Sequence, residues 1–124
     1  MTHDEIESLA DRFLGAIEAG DIDTLRRLYA DDAAIWHNFD QIDQSVADNL
    51  QVLQRLQAAI PNLRYTEIRR IILDDGYVQQ HVLCGDAPGG ALSMPAMLRV
   101  DVADGRVTRI EEYLDTRQAA VIFG

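Results

Sequence analysis

Apolar residues in the first part of the chain recur at helical spacing. Ile6, Leu9, Ala10, Phe13, Leu14 and Ile17 make one stripe, which predicts a helix over about residues 3–19. Thr2, followed three residues later by Glu5, has the spacing of a capping box, which satisfies two otherwise orphaned amides at a helix start. Gly20 ends this helix, and Asp21 can cap a second whose inward positions are Ile22, Leu25, Leu28 and Tyr29. Ala30-Asp31-Asp32 turns the chain, and the period then falls to two. Ala33, Ile35 and His37 share one face of a strand, with Ala34, Trp36 and Asn38 on the other. A third helix, from about Asp43 to Ile60, carries Val46, Leu50, Leu53, Leu56 and Ile60 as its stripe, and Pro61 stops it.

From there the composition is β-rich. Arg64 to Leu73 reads as a strand, Asp74-Asp75-Gly76 as a tight turn, and Tyr77 to Cys84 as the partner strand. Ala87-Pro88-Gly89-Gly90 is a looser turn before a strand from Leu92 to Val102. Asp104-Gly105 is a second hairpin signal, before a last strand from Val107 to Leu114. Pro95 cannot donate to a ladder, which predicts an edge, a strand start or a bulge there. Asp115 can cap a short C-terminal helix through Val121. Three helices, one strand and then antiparallel hairpins predict an α+β fold in which the helices cover one face of a curved sheet. No repeat or linker interrupts it, so residues 1–124 form one domain.

Composition narrows the partners. With 48% hydrophobic residues the chain can bury a real core. The formal charge of −10 disfavours nucleic acid and anionic membrane surfaces as partners. All eleven basic residues are arginine, so Schiff-base chemistry and a P-loop lysine are absent. Cys84 is alone, which excludes an internal disulfide and a Cys-rich zinc framework; it reads as a small buried hydrophobe. No window approaches the roughly 18 apolar residues of a membrane span. The start is acidic where a secretory signal is basic, which predicts a cytoplasmic protein.

Residues Ala16 to Ala33, with the Gly20-Asp21 break and the Tyr29-Ala30-Asp31-Asp32 turn, resemble the opening of the nuclear transport factor 2-like superfamily. The run from Gly105 to Asp115 resembles its last strand. That superfamily includes ketosteroid isomerase, limonene epoxide hydrolase and the SnoaL-like cyclases. The resemblance implies a cone-shaped, mostly antiparallel sheet wrapped over three N-terminal helices, a cystatin-like α+β barrel. Fold alone does not settle function.

Laid on ketosteroid isomerase without gaps, the chain has Phe13 in place of the donor tyrosine and His37 in place of the base. The donor aspartate falls near Met97. Both oxyanion donors are then apolar, and losing even one typically costs on the order of 100- to 1,000-fold in rate, so the resemblance does not imply steroid isomerisation by that route. Against limonene epoxide hydrolase, His81 matches the base, Glu112 the acid, Gln79 the bridging arginine, Ile35 the tyrosine and His37 the asparagine. None is identical, yet four of the five are polar.

Strand parity groups the same residues independently. Tyr77, Gln79, His81 and Leu83 share a face, as do Ile110, Glu112 and Leu114, provided that Glu112 rather than Glu111 points inward. Two imidazoles, an amide and a carboxylate would then meet in an apolar hollow, with His81 as base, Glu112 as its partner or acid, and His37 with Gln79 orienting substrate or water. Phe13, Ile35, Leu50, Leu53, Met94, Met97 and Leu98 are the expected ligand-facing apolar wall. Two histidines and a carboxylate suit a metal triad in principle, but they lie on separate strands without local ligand spacing, so no metal or other cofactor is expected. The sequence therefore predicts a binder of a small apolar organic molecule that acts as a cofactor-free isomerase, cyclase or hydrolase, or else a non-catalytic binding or interaction module. A homodimer through the outer sheet face, where Trp36 and Tyr113 would sit, is the expected assembly.

Overall fold

A computed structural model describes residues 1–118 and 121–122. Helix α1 spans His3–Ala19, and its capping box is complete: the Glu5 amide donates to Thr2 Oγ1 at 3.1 Å and the Thr2 amide to Glu5 Oε1 at 2.9 Å. Gly20 closes the helix in the left-handed region at φ 68°, a conformation in which a side chain would be strained. Asp21 then caps α2, Ile22–Leu28, through the Thr24 amide. Strand β1 follows without a loop at Tyr29–His37, four residues before its expected start.

Helix α3 is Val46–Ala59, capped by Ser45; the residues expected to begin it, Asp43–Gln44, form the short strand β2 instead. Strands β3 (Arg64–Ile72), β4 (Gly76–Ala87), β5 (Gly90–Ala103) and β6 (Arg106–Leu114) complete the chain of hairpins. Asp104 at φ 54° and Gly105 at φ 78° make the β5–β6 turn, with both central residues left-handed as the right-handed strand twist demands. The expected terminal helix is a 3-10 turn at Thr116–Gln118, and part of its span lies outside the described residues.

The sheet order is β2-β1-β6-β5-β4-β3, with β1 parallel to β6 and every other pair antiparallel. It is a curved, unclosed sheet with β2 and β3 at its edges, so it does not form a barrel. Pro95 sits within central β5, one residue beyond the last β5–β6 pair, Ala96 with Leu114. Its carbonyl still accepts from the Asp115 amide at 3.2 Å, but β6 ends at Leu114, so the ladder loses no partner for the amide that proline lacks.

Two apolar clusters fill the space between sheet and helices. The larger joins α1, α2 and α3 to the sheet through residues such as Ile6, Phe13, Leu25, Ile35, Val100 and Val107. The smaller gathers Ile60, Leu63, Leu83, Leu92 and Met94, and Tyr65 touches both.

Strand β3 contains a bulge between Thr66 and Arg69, with Glu67 at φ 54°. Before the bulge Tyr65 pairs with inward Leu83; after it Arg70 pairs with inward Gln79. A residue of odd number and one of even number therefore face the same side of one strand, which strict alternation forbids.

Candidate functional site

The site is assembled by cross-strand register. His37 on β1 pairs with Glu112 on β6, Glu112 pairs with Leu98 on β5, and His81 on β4 pairs with Ala96 on β5. His81 and Glu112 thus stand two strands apart, about 10 Å in backbone spacing. On β5 between them, the small Ala96 stands opposite His81 and Leu98 opposite Glu112, both buried, and the two longer side chains reach across diagonally.

They do meet. Glu112 Oε1 lies 3.3 Å from His37 Nε2, and Oε2 lies 3.8 Å from His81 Nε2. The carboxylate is bracketed by two imidazoles, and its side chain is 20% exposed, against 17% for His37 and 1% for His81. Glu111, by contrast, is on the outer face and accepts from Arg109 Nη2 at 3.3 Å. The inward carboxylate is therefore Glu112.

Behind His81 the polar chain continues. Gln79, buried to 1%, places its amide nitrogen 2.8 Å from His81 Nδ1. Its oxygen accepts from Arg70 Nε at 2.9 Å. Arg70 Nη1 donates in turn to Glu7 Oε1 and Asp11 Oδ1, both at 2.8 Å, on the solvent side of α1. The guanidinium also sits 5.5 Å over the Tyr77 ring. Its Nη2 is buried and has no partner among the described residues.

Burial pushes the His81 ring below its ordinary pKa, and the Arg70 charge adds to that; Glu112 opposes both. Tyr65 meets the His81 ring edge-on at 4.7 Å. Burial and the nearby Glu112 carboxylate push the Tyr65 phenol well above its ordinary value, so it remains a neutral hydroxyl. On the solvent side, Phe39 stacks on His37 at 5.2 Å between ring centroids and is itself 59% exposed.

Of the expected apolar wall, Phe13, Ile35, Leu50 and Leu98 are buried in the larger cluster, with Leu53 partly buried against it. Met94 lies in the smaller one. Met97 is a correction: it is 44% exposed and faces outward, because the buried residues of β5 are Leu92, Met94, Ala96, Leu98 and Val100 and alternation turns Met97 the other way. Met97 instead borders a depression of about 710 Å³ on the outer sheet face, with Ile68, Gln80, Val82, Pro95 and Tyr113. A second depression of about 420 Å³ lies between α2, α3 and β1 and includes Leu50 and Tyr29.

Sequence reasoning missed Arg70 and Tyr65. Tyr65 carried a usable signal, an aromatic in a stretch read as a strand. Arg70 carried none, because the bulge reverses the parity before it.

Residues 10–110 match the SnoaL-like domain. The chain belongs to the SnoaL-like domain family. Among solved structures, this SnoaL-like protein is similar to IdmH of Streptomyces antibioticus, a candidate polyketide cyclase. The TM-score is 0.81 at 22% identity, over 95% of this chain and 97% of that one. A candidate isomerase from Bacillus subtilis aligns with TM-score 0.83 at 14% identity, over 100% and 96% of the two chains. A nuclear transport factor 2-like protein from Burkholderia xenovorans aligns with TM-score 0.80 at 18% identity, over 98% of each. These likenesses establish the fold. No curated protein matches the sequence. No helix among the described residues is long and apolar enough to cross a membrane.

Proposed function

We propose that this SnoaL-like protein binds a small, largely apolar organic molecule and moves a proton on it without a cofactor, as an isomerase, cyclase or hydrolase, with Glu112 as the acid-base group. The observation that carries this reading is a partly exposed carboxylate held between two imidazoles and paired across the strands with Leu98 of the larger apolar cluster. The carboxylate is close enough to both rings to exchange a proton with a guest while the imidazoles fix its position.

The sequence suggested His81 as the base. Exposure favours the reverse assignment: the His81 ring is 1% exposed and its Nδ1 is engaged by Gln79, whereas Glu112 and His37 reach the surface. In this reading His81 turns Nε2 toward Glu112 across 3.8 Å, while His37 positions the guest or a water. The candidate cyclase and isomerase among the structural neighbours agree with proton-transfer chemistry.

The test is hydrogen exchange in D2O at the carbon beside the carbonyl, read by NMR over a panel of enolisable cyclic ketones. Exchange by the wild type that disappears in Glu112→Gln supports the proposal. Exchange that persists undiminished in Glu112→Gln overturns Glu112 as the base. The closed environment of His81 favours a second reading, a non-catalytic binding module in which these polar groups satisfy one another. Saturable ketone binding without exchange would select it.

We also propose a homodimer through the outer sheet face. Trp36 and Tyr113 lie there with ring centroids 5.3 Å apart, and Tyr113 and Met97 are 58% and 44% exposed.

A further inference from the structure

We propose that Arg70, acting through Gln79, determines which nitrogen of His81 carries the proton, so that the ring meets Glu112 as a neutral donor from Nε2. The assignment of a role to that donor rests on Glu112 being the acid-base group; the proton's position does not.

The inference follows from what each group is able to do. A guanidinium has five N–H donors and no acceptor. The group 2.9 Å from Arg70 Nε must therefore be the Gln79 oxygen, and the Gln79 amide nitrogen is left facing His81 Nδ1 at 2.8 Å. An NH2 group at that distance needs a lone pair opposite it. Nδ1 is then the unprotonated nitrogen, and the proton of a neutral ring sits on Nε2, the atom that faces Glu112 Oε2.

An imidazolium would set two donors against each other at Nδ1. The amide cannot rotate to relieve this, because its NH2 would then oppose Arg70. In a buried network such an unmade bond is costly, and more so where a charge is involved.

Arg70 is itself firmly held. Its side chain is 6% exposed, and Nη1 is anchored by Glu7 and Asp11 on α1. The charged and titratable groups around His81 are Arg70 and Tyr65 from β3 and Glu112 from β6, with His37 from β1 beyond Glu112. Of these, Glu112 alone favours a charged ring. A neutral His81 leaves the Glu112 charge uncancelled on that side. Arg70 and Gln79 are positioning residues in this scheme, because neither touches the reacting atoms.

The experiment is 15N NMR of the histidine rings in the unliganded full chain near neutral pH, with His81 assigned by its loss in His81→Gln. The expected wild-type spectrum has His81 Nδ1 at the unprotonated, pyridine-like position and Nε2 protonated. Gln79→Glu replaces the NH2 donor by an acceptor that Arg70 can still bond, so Nδ1 should become protonated and the ring's titration midpoint should rise. A protonated Nδ1 in the wild type, or a spectrum unchanged in folded Gln79→Glu, overturns the proposal. The wild-type spectrum alone decides should Gln79→Glu fail to fold. The expected tautomer together with ketone exchange that survives Glu112→Gln would uphold the lock while removing the catalytic reading. Exchange that depends on Glu112 with the opposite tautomer would do the reverse.

Discussion

His37 and Glu112 are register partners in the parallel pairing of β1 with β6, and Glu112 Oε1 lies 3.3 Å from His37 Nε2. Parallel pairing is what joins the first strand of the chain to the last, so residues 75 positions apart in sequence share one face of the sheet. Replacing His37 by Ala should leave the fold intact, because its ring belongs to neither apolar cluster. It should lower ketone exchange by roughly 10- to 100-fold, below the 10²- to 10⁴-fold typical of a general acid or base itself, since Glu112 remains in place. Exchange equal to wild type would remove His37 from the site.

Ala96 offers a separate test of the same geometry. Ala96→Leu places a branched side chain directly opposite His81, beside Leu98, the β5 neighbour of Glu112, and crowds the diagonal along which the two groups meet. Exchange should fall sharply, and overpacking should cost about 1–3 kcal/mol in denaturant unfolding. A variant as active as wild type would show that the His81–Glu112 contact is dispensable.

Phe13 tests the core. It is 4% exposed and meets Tyr29 edge-on at 5.5 Å, and the Tyr29 hydroxyl in turn donates to Asn49 at 2.7 Å. Phe13→Ala should cost about 3–5 kcal/mol, measured by urea denaturation. A loss under about 1 kcal/mol would mean that Phe13 lines an open cavity rather than a packed interior.

Acid should destabilise the protein in part through His81. Its folded pKa lies below the ordinary 6.5, so the unfolded chain takes up this proton first as the pH falls. The contribution is fully present above about pH 6.5, declines as the pH drops from there toward the lowered folded value, and is flat below that. Melting temperatures across this window should fall more steeply for the wild type than for His81→Gln. Equal slopes would contradict a depressed pKa.

The outer face has its own readout. Tyr113→Glu puts a charge beside Trp36 and Met97 on a face whose apolar character is the basis for pairing two copies. Light scattering should report a dimer for the wild type and a monomer for the variant. Two monomers would refute the proposed assembly.

Much of this was legible in the residues. The stripes of α1 and α3, the Thr2–Glu5 box and the Asp104-Gly105 turn are local signals, and each produced the element its spacing implied. Period two also grouped Gln79, His81 and Glu112, since β4 and β6 run without irregularity through those positions. Met97 went astray because an ungapped comparison ignores parity, and β5 alternates strictly. The short strand β2 escaped because two residues are too few for a periodic signal. Arg70 escaped for a deeper reason: whether it faces in or out depends on pairing with β4, a long-range relation absent from its neighbours in sequence.

That dependence sets a rule for length changes along β3. Losing either Glu67 or Ile68 would remove the extra residue and leave Tyr65 and Arg70 an even number of positions apart, so ordinary alternation would keep both facing inward, opposite Leu83 and Gln79. Losing both would put the two an odd number of positions apart and, in a regular strand, turn Arg70 away from the face that Tyr65 shares with Gln79, severing α1 from His81. An outermost strand normally tolerates insertion and deletion well; here the loss of two residues would disconnect the interior from its anchor on the helix, whereas the loss of one would not.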